Sequence, residues 1–232
     1  MIQRFSSFKD FLLDHRLMVV LLVMGLGFAG FIATQKPAST YDKDKQAFIE
    51  VDSSSPMSRG DKQAKVSLIQ YSDFLCPSCS YFSTQIMPEV DSEYIDQGKI
   101  KFEFRPMAFI AEGSRIAGMG AYCAIDQQKF WSYHDVIYTY VAQKVLSEGV
   151  DPKSSTILTT PLVEQLAQSA GLSAEQFNSC LESGKHAADI TNATKKANQN
   201  GVTGTPFIMV NGQHYQGNMS KESVMALIKA SL

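Results

Sequence analysis

Two thiols, Cys76 and Cys79, bracket Pro77 and Ser78 directly after the apolar run Val66-Ser67-Leu68-Ile69-Gln70-Tyr71. A strand that empties into C-x-x-C at the start of a helix puts the first sulfur at a helix N-terminus. There, unpaired backbone N–H groups and the helix dipole hold a negative charge. Pro77 suits the first helical position, where its missing N–H costs nothing. The chemistry expected of this pattern is dithiol–disulfide exchange. Cys76 is the expected nucleophile, the more exposed sulfur and the one stabilised as thiolate. Cys79, three residues on, lies on the same side of the first turn and closes or resolves the disulfide. A helix that stabilises the thiolate stabilises the reduced state, so the oxidised form tends to give its disulfide away.

The competing readings are half of a zinc site and a structural disulfide. Zinc takes four ligands, and the chain has no second C-x-x-C and no paired histidine motif. His15, His134, His186 and His214 are scattered and read as structural or surface residues. No metal is expected. Ser78 offers the thiolate at most one hydroxyl hydrogen bond. The reduction potential is therefore open between oxidase-like and isomerase-like, a span of ~60 mV or ~3 kcal/mol on the two-electron scale.

Such a site needs a domain to carry it. The chain has 232 residues, enough for one domain of about 150–200 residues plus an appendage. A hydrophobic fraction of 44% with 19% charged residues is that of a folded protein. The net charge of −2 and the lack of a Lys/Arg block leave no footprint for nucleic acid.

The appendage is N-terminal. Leu17 to Gln35 holds no charged residue and is about long enough to cross a bilayer as a helix. A signal peptide cut after Ala29 is the rival, but apolar residues continue past that point and an uncleaved anchor is preferred. Arg4, Lys9 and Arg16 precede the span and Lys36, Lys43 and Lys45 follow it, so positive charge barely orients it. Four cysteines, an even count, suit an oxidising compartment and place the domain outside the cytosol. The expected organisation is a cytoplasmic N-terminus over 1–16, a transmembrane anchor over 17–35, a linker over 36–45 and a catalytic domain over 46–232.

Within that domain, Ala47–Val51 reads as a short strand and Asp52–Asp61 as a loop, with Arg59-Gly60-Asp61 a chance glycine turn. A helical stretch runs from the C-x-x-C to about Gly98, kinked or broken by Pro88. Lys99–Arg105 alternates polar and apolar residues as a half-buried strand does. From about 113 to 200 the pattern is helical. Pro206–Val210, Asn211-Gly212 and Gln213–Tyr215 signal a hairpin. Ser220 caps a last amphipathic helix through Val224, Leu227 and Ile228.

Four segments now carry a resemblance: Tyr71-Ser72-Asp73-Phe74-Leu75-Cys76-Pro77-Ser78-Cys79, Gly98-Lys99-Ile100, Phe130-Trp131 with His134-Asp135, and Gly201-Val202-Thr203-Gly204-Thr205-Pro206. Over residues 46–232 the chain resembles the DsbA family of thiol–disulfide oxidoreductases, especially its membrane-tethered, BdbD-like branch. The resemblance implies an α/β thioredoxin-like fold with an inserted helical domain at about 113–200, here preceded by one transmembrane helix. It implies that Thr205-Pro206 forms a cis-proline loop against the cysteines and offers backbone to an extended substrate. It implies no bound cofactor, reduced exported proteins as clients, and a membrane reoxidising partner of the DsbB or vitamin K epoxide reductase type. A monomer is the default expectation. Some relatives have a second disulfide in the helical domain, which favours a structural bridge between Cys123 and Cys180; two buried free thiols are the alternative. Such a bridge closes roughly 57 residues and is worth about 4 kcal/mol in the chain-entropy model. Many thioredoxin-like proteins carry a buried acid six residues before the nucleophile; here that position is Gln70. Asp73 reads as a solvated carboxylate at a strand end, and Phe130, Trp131 and Tyr133 read as core.

Overall fold

The computed structural model describes residues 49–232. Among them, one sheet contains β1 (Ser58–Gly60), β2 (Val66–Asp73), β3 (Ile100–Met107), β4 (Phe207–Val210) and β5 (Gln213–His214). The strand order is β1-β3-β2-β4-β5. β2 pairs in parallel with β3, from Val66 opposite Ile100 to Asp73 opposite Met107, and antiparallel with β4. All eight residues of β2 are buried. A central strand covered on both faces has no solvent side to alternate toward, so Val66, Leu68, Ile69 and Tyr71 are all buried, and the polar Ser67, Gln70, Ser72 and Asp73 are buried with them.

The crossover from β2 to β3 is a helix that starts at the C-x-x-C. It comprises α1 (Pro77–Tyr81) and α2 (Met87–Val90), joined by a π-helical turn over Phe82–Ile86 and followed by another over Asp91–Ile95. The expected break at Pro88 takes a milder form. The Met87 N–H donates to Phe82 O in a widened turn, and Pro88 then falls in the first turn of α2, where no intrahelical donor is required.

The first edge strand differs from expectation. Ile49–Val51 are not in a strand, and residues 47–48 lie outside the described residues. The edge strand is instead β1, drawn from the stretch read as a loop. β1 pairs antiparallel with the free edge of β3, Arg59 facing Phe102. The Arg59 guanidinium lies 4.2 Å from the centroid of the Trp131 ring and 2.9 Å from Asp91. Gly60 has φ +97°, and a Cβ there would stand 2.4 Å from Ile100 O, so this turn accepts only glycine.

Between β3 and β4 lies a helical block: α3 (Glu112–Asp126), α4 (Phe130–Val141), α5 (Thr160–Ser169), α6 (Ala174–Glu182) and α7 (Ala187–Gln199). The β4–β5 turn uses Asn211 and Gly212, both at positive φ, as a two-residue hairpin requires. Ser220 accepts a hydrogen bond from the Ser223 N–H and caps α8 (Lys221–Ser231).

Sheet and helical block share an aromatic core. Phe74 packs at 5.0 Å from Tyr138 and 5.6 Å from Phe104, between ring centroids. Phe130 and Tyr133 are buried in it, and Trp131 is partly buried against it. Each wholly buried ring contributes about 1.5–3 kcal/mol of apolar burial. Among the described residues no helix is long and apolar enough to cross a membrane. The anchor expected over 17–35 and the linker over 36–45 lie outside the described residues.

Candidate active site

β2 ends at Asp73, and the wholly buried Phe74 and Leu75 turn the chain into α1. The Cys76 N–H donates to Asp73 O at 3.0 Å and closes that turn. Cys76 keeps an extended backbone (φ −71°, ψ 121°) at the N-cap position, and its carbonyl accepts from the Ser80 N–H at 3.0 Å. Its sulfur therefore stands at the mouth of the helix, ahead of the first free N–H groups.

Both cysteines are free thiols. Cys76 is 5% exposed and Cys79 is sealed. Cys76 Sγ donates to Thr205 O at 3.3 Å, across 129 residues of chain. The Thr205–Pro206 peptide is cis and leads into β4, the neighbour of β2, so the corner at 205–206 lies against the first sulfur. The Thr205 side chain lowers the pKa of both thiols.

The two sulfurs are electrostatically unlike. The Cys76 thiol is lowered from 9.0 to about 7, first by the hydrogen bond from the Cys79 side chain. Burial opposes this; the Thr205 hydroxyl and the Cys79 backbone N–H add to it. Cys79 moves the other way, pushed well above its ordinary value by burial and then by its bond to Cys76. One sulfur ionises near neutrality while the other keeps its proton and donates it. Ser78 is exposed and is not among the groups that lower Cys76.

Three comparisons bear on this arrangement. The family described as Thioredoxin matches residues 52–230. A protein of Rickettsia conorii named as a protein-disulfide oxidoreductase is 30% identical over 204 residues, covering 86% of this chain and 68% of its own. The protein belongs to the DsbA family. A relative from Bacillus anthracis, named as disulfide bond formation protein D, is 29% identical over 196 residues, covering 83% of each chain. The fold of this DsbA-family protein is similar to that of oxidised BdbD from Bacillus subtilis, with a TM-score of 0.67 at 21% identity over 80% of this chain and 97% of that one. It is a thiol–disulfide oxidoreductase with a thioredoxin-like α/β fold and a helical insertion.

Asp73 corrects the sequence reading. It is not solvated but wholly buried. Its Oδ1 accepts from the Leu75 N–H at 2.9 Å and the Ser114 hydroxyl at 2.6 Å, and its Oδ2 from the N–H groups of Phe109 and Ile110. Burial raises its pKa, while these four bonds pull the other way. The segment between β3 and α3 folds over the strand end and supplies the donors. Ser72 and Tyr138 were not singled out in the sequence either. Ser72 Oγ lies 2.6 Å from Tyr138 Oη and accepts from Gln70 Nε2 at 3.2 Å, all three side chains being wholly buried. Gln70 and Ser72, two of the polar residues in the strand that leads to the C-x-x-C, were the available signal.

Cys123 and Cys180 are joined by a disulfide that ties α3 to α6 in the DsbA-family protein's helical block, with Cα atoms 5.9 Å apart. Together with His186 they form the one group of metal-type ligands among the described residues, but the disulfide occupies both sulfurs. His134 is buried among Phe74, Phe104 and Tyr138, and burial lowers its pKa. His186 bridges Asp126 and Asp189, and His214 stacks on Phe207 at 3.6 Å. His15 lies outside the described residues.

Proposed function

We propose that this DsbA-family enzyme introduces disulfides into exported proteins through Cys76 and Cys79, with its catalytic domain on the extracytoplasmic side of the membrane. The observation that carries the reading is the opposed pKa shift of the two sulfurs, Cys76 down to about 7 and Cys79 up. In the oxidised enzyme a client thiolate attacks Cys76 Sγ. The Cys76–Cys79 bond breaks, and its electron pair goes to Cys79, which takes up a proton. A second client thiolate then attacks the client sulfur and expels Cys76. A sulfur that ionises near neutrality is a good leaving group, so this last step runs toward the client disulfide. The backbone at Thr205 and Pro206 receives the client as an added extended segment, a mode that tolerates many sequences.

Turnover needs reoxidation of the dithiol, and the family implies a quinone-linked membrane protein of the DsbB or vitamin K epoxide reductase type for it. The uncharged stretch from Leu17 to Gln35 supports a membrane anchor, and relatives named for disulfide bond formation support the direction of electron flow. A disulfide isomerase is the second reading. It is favoured by Ser78, whose exposed hydroxyl leaves Cys76 without a cation between the cysteines. The oxidised protein is expected to refold reduced, denatured ribonuclease faster than it rescues scrambled ribonuclease. Faster rescue of the scrambled form overturns the oxidase reading. Cys79→Ser is expected to accumulate mixed disulfides between Cys76 and clients; a protein that traps none is not an exchange enzyme.

A further inference from the structure

The Cys123–Cys180 bridge lies among groups that the exchange reaction does not use. Cys123 and Asp126 are both in the last turn of α3, at a spacing that puts their side chains on one face. Cys180 comes from α6, and His186 stands at the N-cap of α7. The two sulfurs and a ring nitrogen of His186 all lie within 4.8 Å of one another. Asp126 Oδ2 is 3.0 Å from His186 Nε2 and 3.8 Å from Cys180 Sγ. A cavity of about 300 Å³, lined by Cys123, Asp126, Cys180 and Lys185 among others, opens onto the cluster.

These distances are close to the edges of a tetrahedral zinc site. With nitrogen and oxygen about 2.1 Å and sulfur about 2.3 Å from the ion, the nitrogen–oxygen edge is about 3.4 Å and the sulfur–oxygen edge about 3.6 Å. The observed 3.0 and 3.8 Å lie a few tenths of an ångström from those edges. The edge that does not fit is the covalent bond between the sulfurs, which on an ion stand about 3.8 Å apart. His186 is held as a zinc ligand is held. Its Nδ1 is 2.6 Å from Asp189 Oδ2, and its ring stacks on Tyr122 with centroids 5.7 Å apart. A carboxylate on one ring nitrogen aims the other, here Nε2, at a metal. Asp126 Oδ2 also accepts from Lys185 Nζ at 2.8 Å, an exposed amine that a divalent ion displaces.

We infer that reduction of the Cys123–Cys180 bridge creates a zinc site made of Cys123 Sγ, Cys180 Sγ, His186 Nε2 and Asp126 Oδ2. Two thiolates, an imidazole and a carboxylate are a donor set for a borderline-soft divalent cation. A dithiol supplies the electrons. One of its thiolates attacks Cys180 Sγ, the more exposed sulfur, and Cys123 leaves with the electron pair of the broken bond. The second thiolate of the reductant then closes the reductant's own disulfide and expels Cys180. The two protons lost by the reductant go to solvent, as does any hydrogen on His186 Nε2, and Zn²⁺ takes both thiolates. The ion ties α3 to α6 in the reduced chain, as the bridge does in the oxidised one.

The test uses the full chain carrying Cys76→Ser and Cys79→Ser, in which the bridge is the sole source of thiols. This protein is reduced with a dithiol, freed of it without air, and titrated with Zn²⁺ against a chromophoric chelator. It is expected to take up one ion per chain, and the bridged form none. Co²⁺ in place of Zn²⁺ is expected to show the visible bands of a tetrahedral site and a near-ultraviolet thiolate charge-transfer band. Asp189→Ala is expected to weaken zinc binding roughly 10- to 100-fold, and His186→Ala by at least as much. Where reduction unfolds the chain, circular dichroism is expected to show that Zn²⁺ refolds it. Equal uptake by the bridged form, no uptake on reduction, or cobalt bands without thiolate character each overturn the site. So does an affinity indifferent to His186→Ala, or a reduced chain that Zn²⁺ leaves unfolded. None of these results bears on exchange at Cys76, which stands or falls on its own tests.

Discussion

The Asp73 carboxylate accepts a 2.6 Å hydrogen bond from the Ser114 hydroxyl, 41 residues away and equally buried. With the N–H groups of Leu75, Phe109 and Ile110 it clamps the active-site turn to the start of α3. Asp73→Asn keeps the shape but turns one acceptor into a donor facing donors. It is expected to cost about 1–3 kcal/mol in urea unfolding. Because burial raises the carboxyl in the folded state, the unfolded chain loses this proton first, and stability falls as pH rises from 3.8 to the raised value. The variant is expected to lack that decline. It also removes a charge that raises Cys76, so the Cys76 thiolate is expected at lower pH. An unchanged pH profile refutes this account of Asp73.

Thiolate absorbance of the reduced protein is expected to rise with a midpoint of about 7, against 9.0 for an ordinary thiol. Cys76→Ser abolishes the transition, and Cys79→Ala moves it upward by removing the largest cause of the shift. A lowered acid stabilises the folded state above its unfolded pKa and loses that stabilisation as pH falls through the folded value. The reduced wild type is therefore expected to gain up to about 3 kcal/mol over Cys76→Ser at high pH, lost between 9.0 and about 7. Pulse alkylation and urea melts across that window check both statements.

Thr205→Val removes the hydroxyl but keeps the carbonyl that accepts from Cys76 Sγ. Since the hydroxyl helps hold Cys76 down, the thiolate midpoint is expected to move upward in this variant. No movement would assign the lowering wholly to Cys79.

The Cys123–Cys180 bridge spans a sequence separation of 57. Replacing both cysteines with alanine is expected to destabilise the fold by about 4 kcal/mol in the chain-entropy model. Glutathione exchange at Cys76 is expected to survive, because neither residue is among the groups acting on the two thiols. Loss of exchange in a folded double variant would show a coupling between the two sulfur pairs.

Parts of the architecture were legible because they are local. The helical block from α3 to α7 and the Asn211-Gly212 hairpin follow from periodicity and turn chemistry. The edge strand was misplaced for the opposite reason. Ala47–Val51 has strand propensity, but pairing went to Ser58–Gly60, whose Arg59 finds Trp131 and Asp91 when it lies on β3. Asp73 was misread because a strand-end carboxylate is solvated unless something covers it, and the cover comes from residues 109–114.

The order of residues alone determined the pair of thiols, the proline at the helix start and the apolar strand leading to them, since each depends on neighbours a few positions apart. Only the folded chain decided how the two sulfurs differ. What separates them is burial: the core seals Cys79, while Cys76 stays 5% exposed against the backbone at Thr205, 129 residues away. Burial and hydrogen bonding set a thiol's charge, and both are made by chain segments that sequence proximity does not connect.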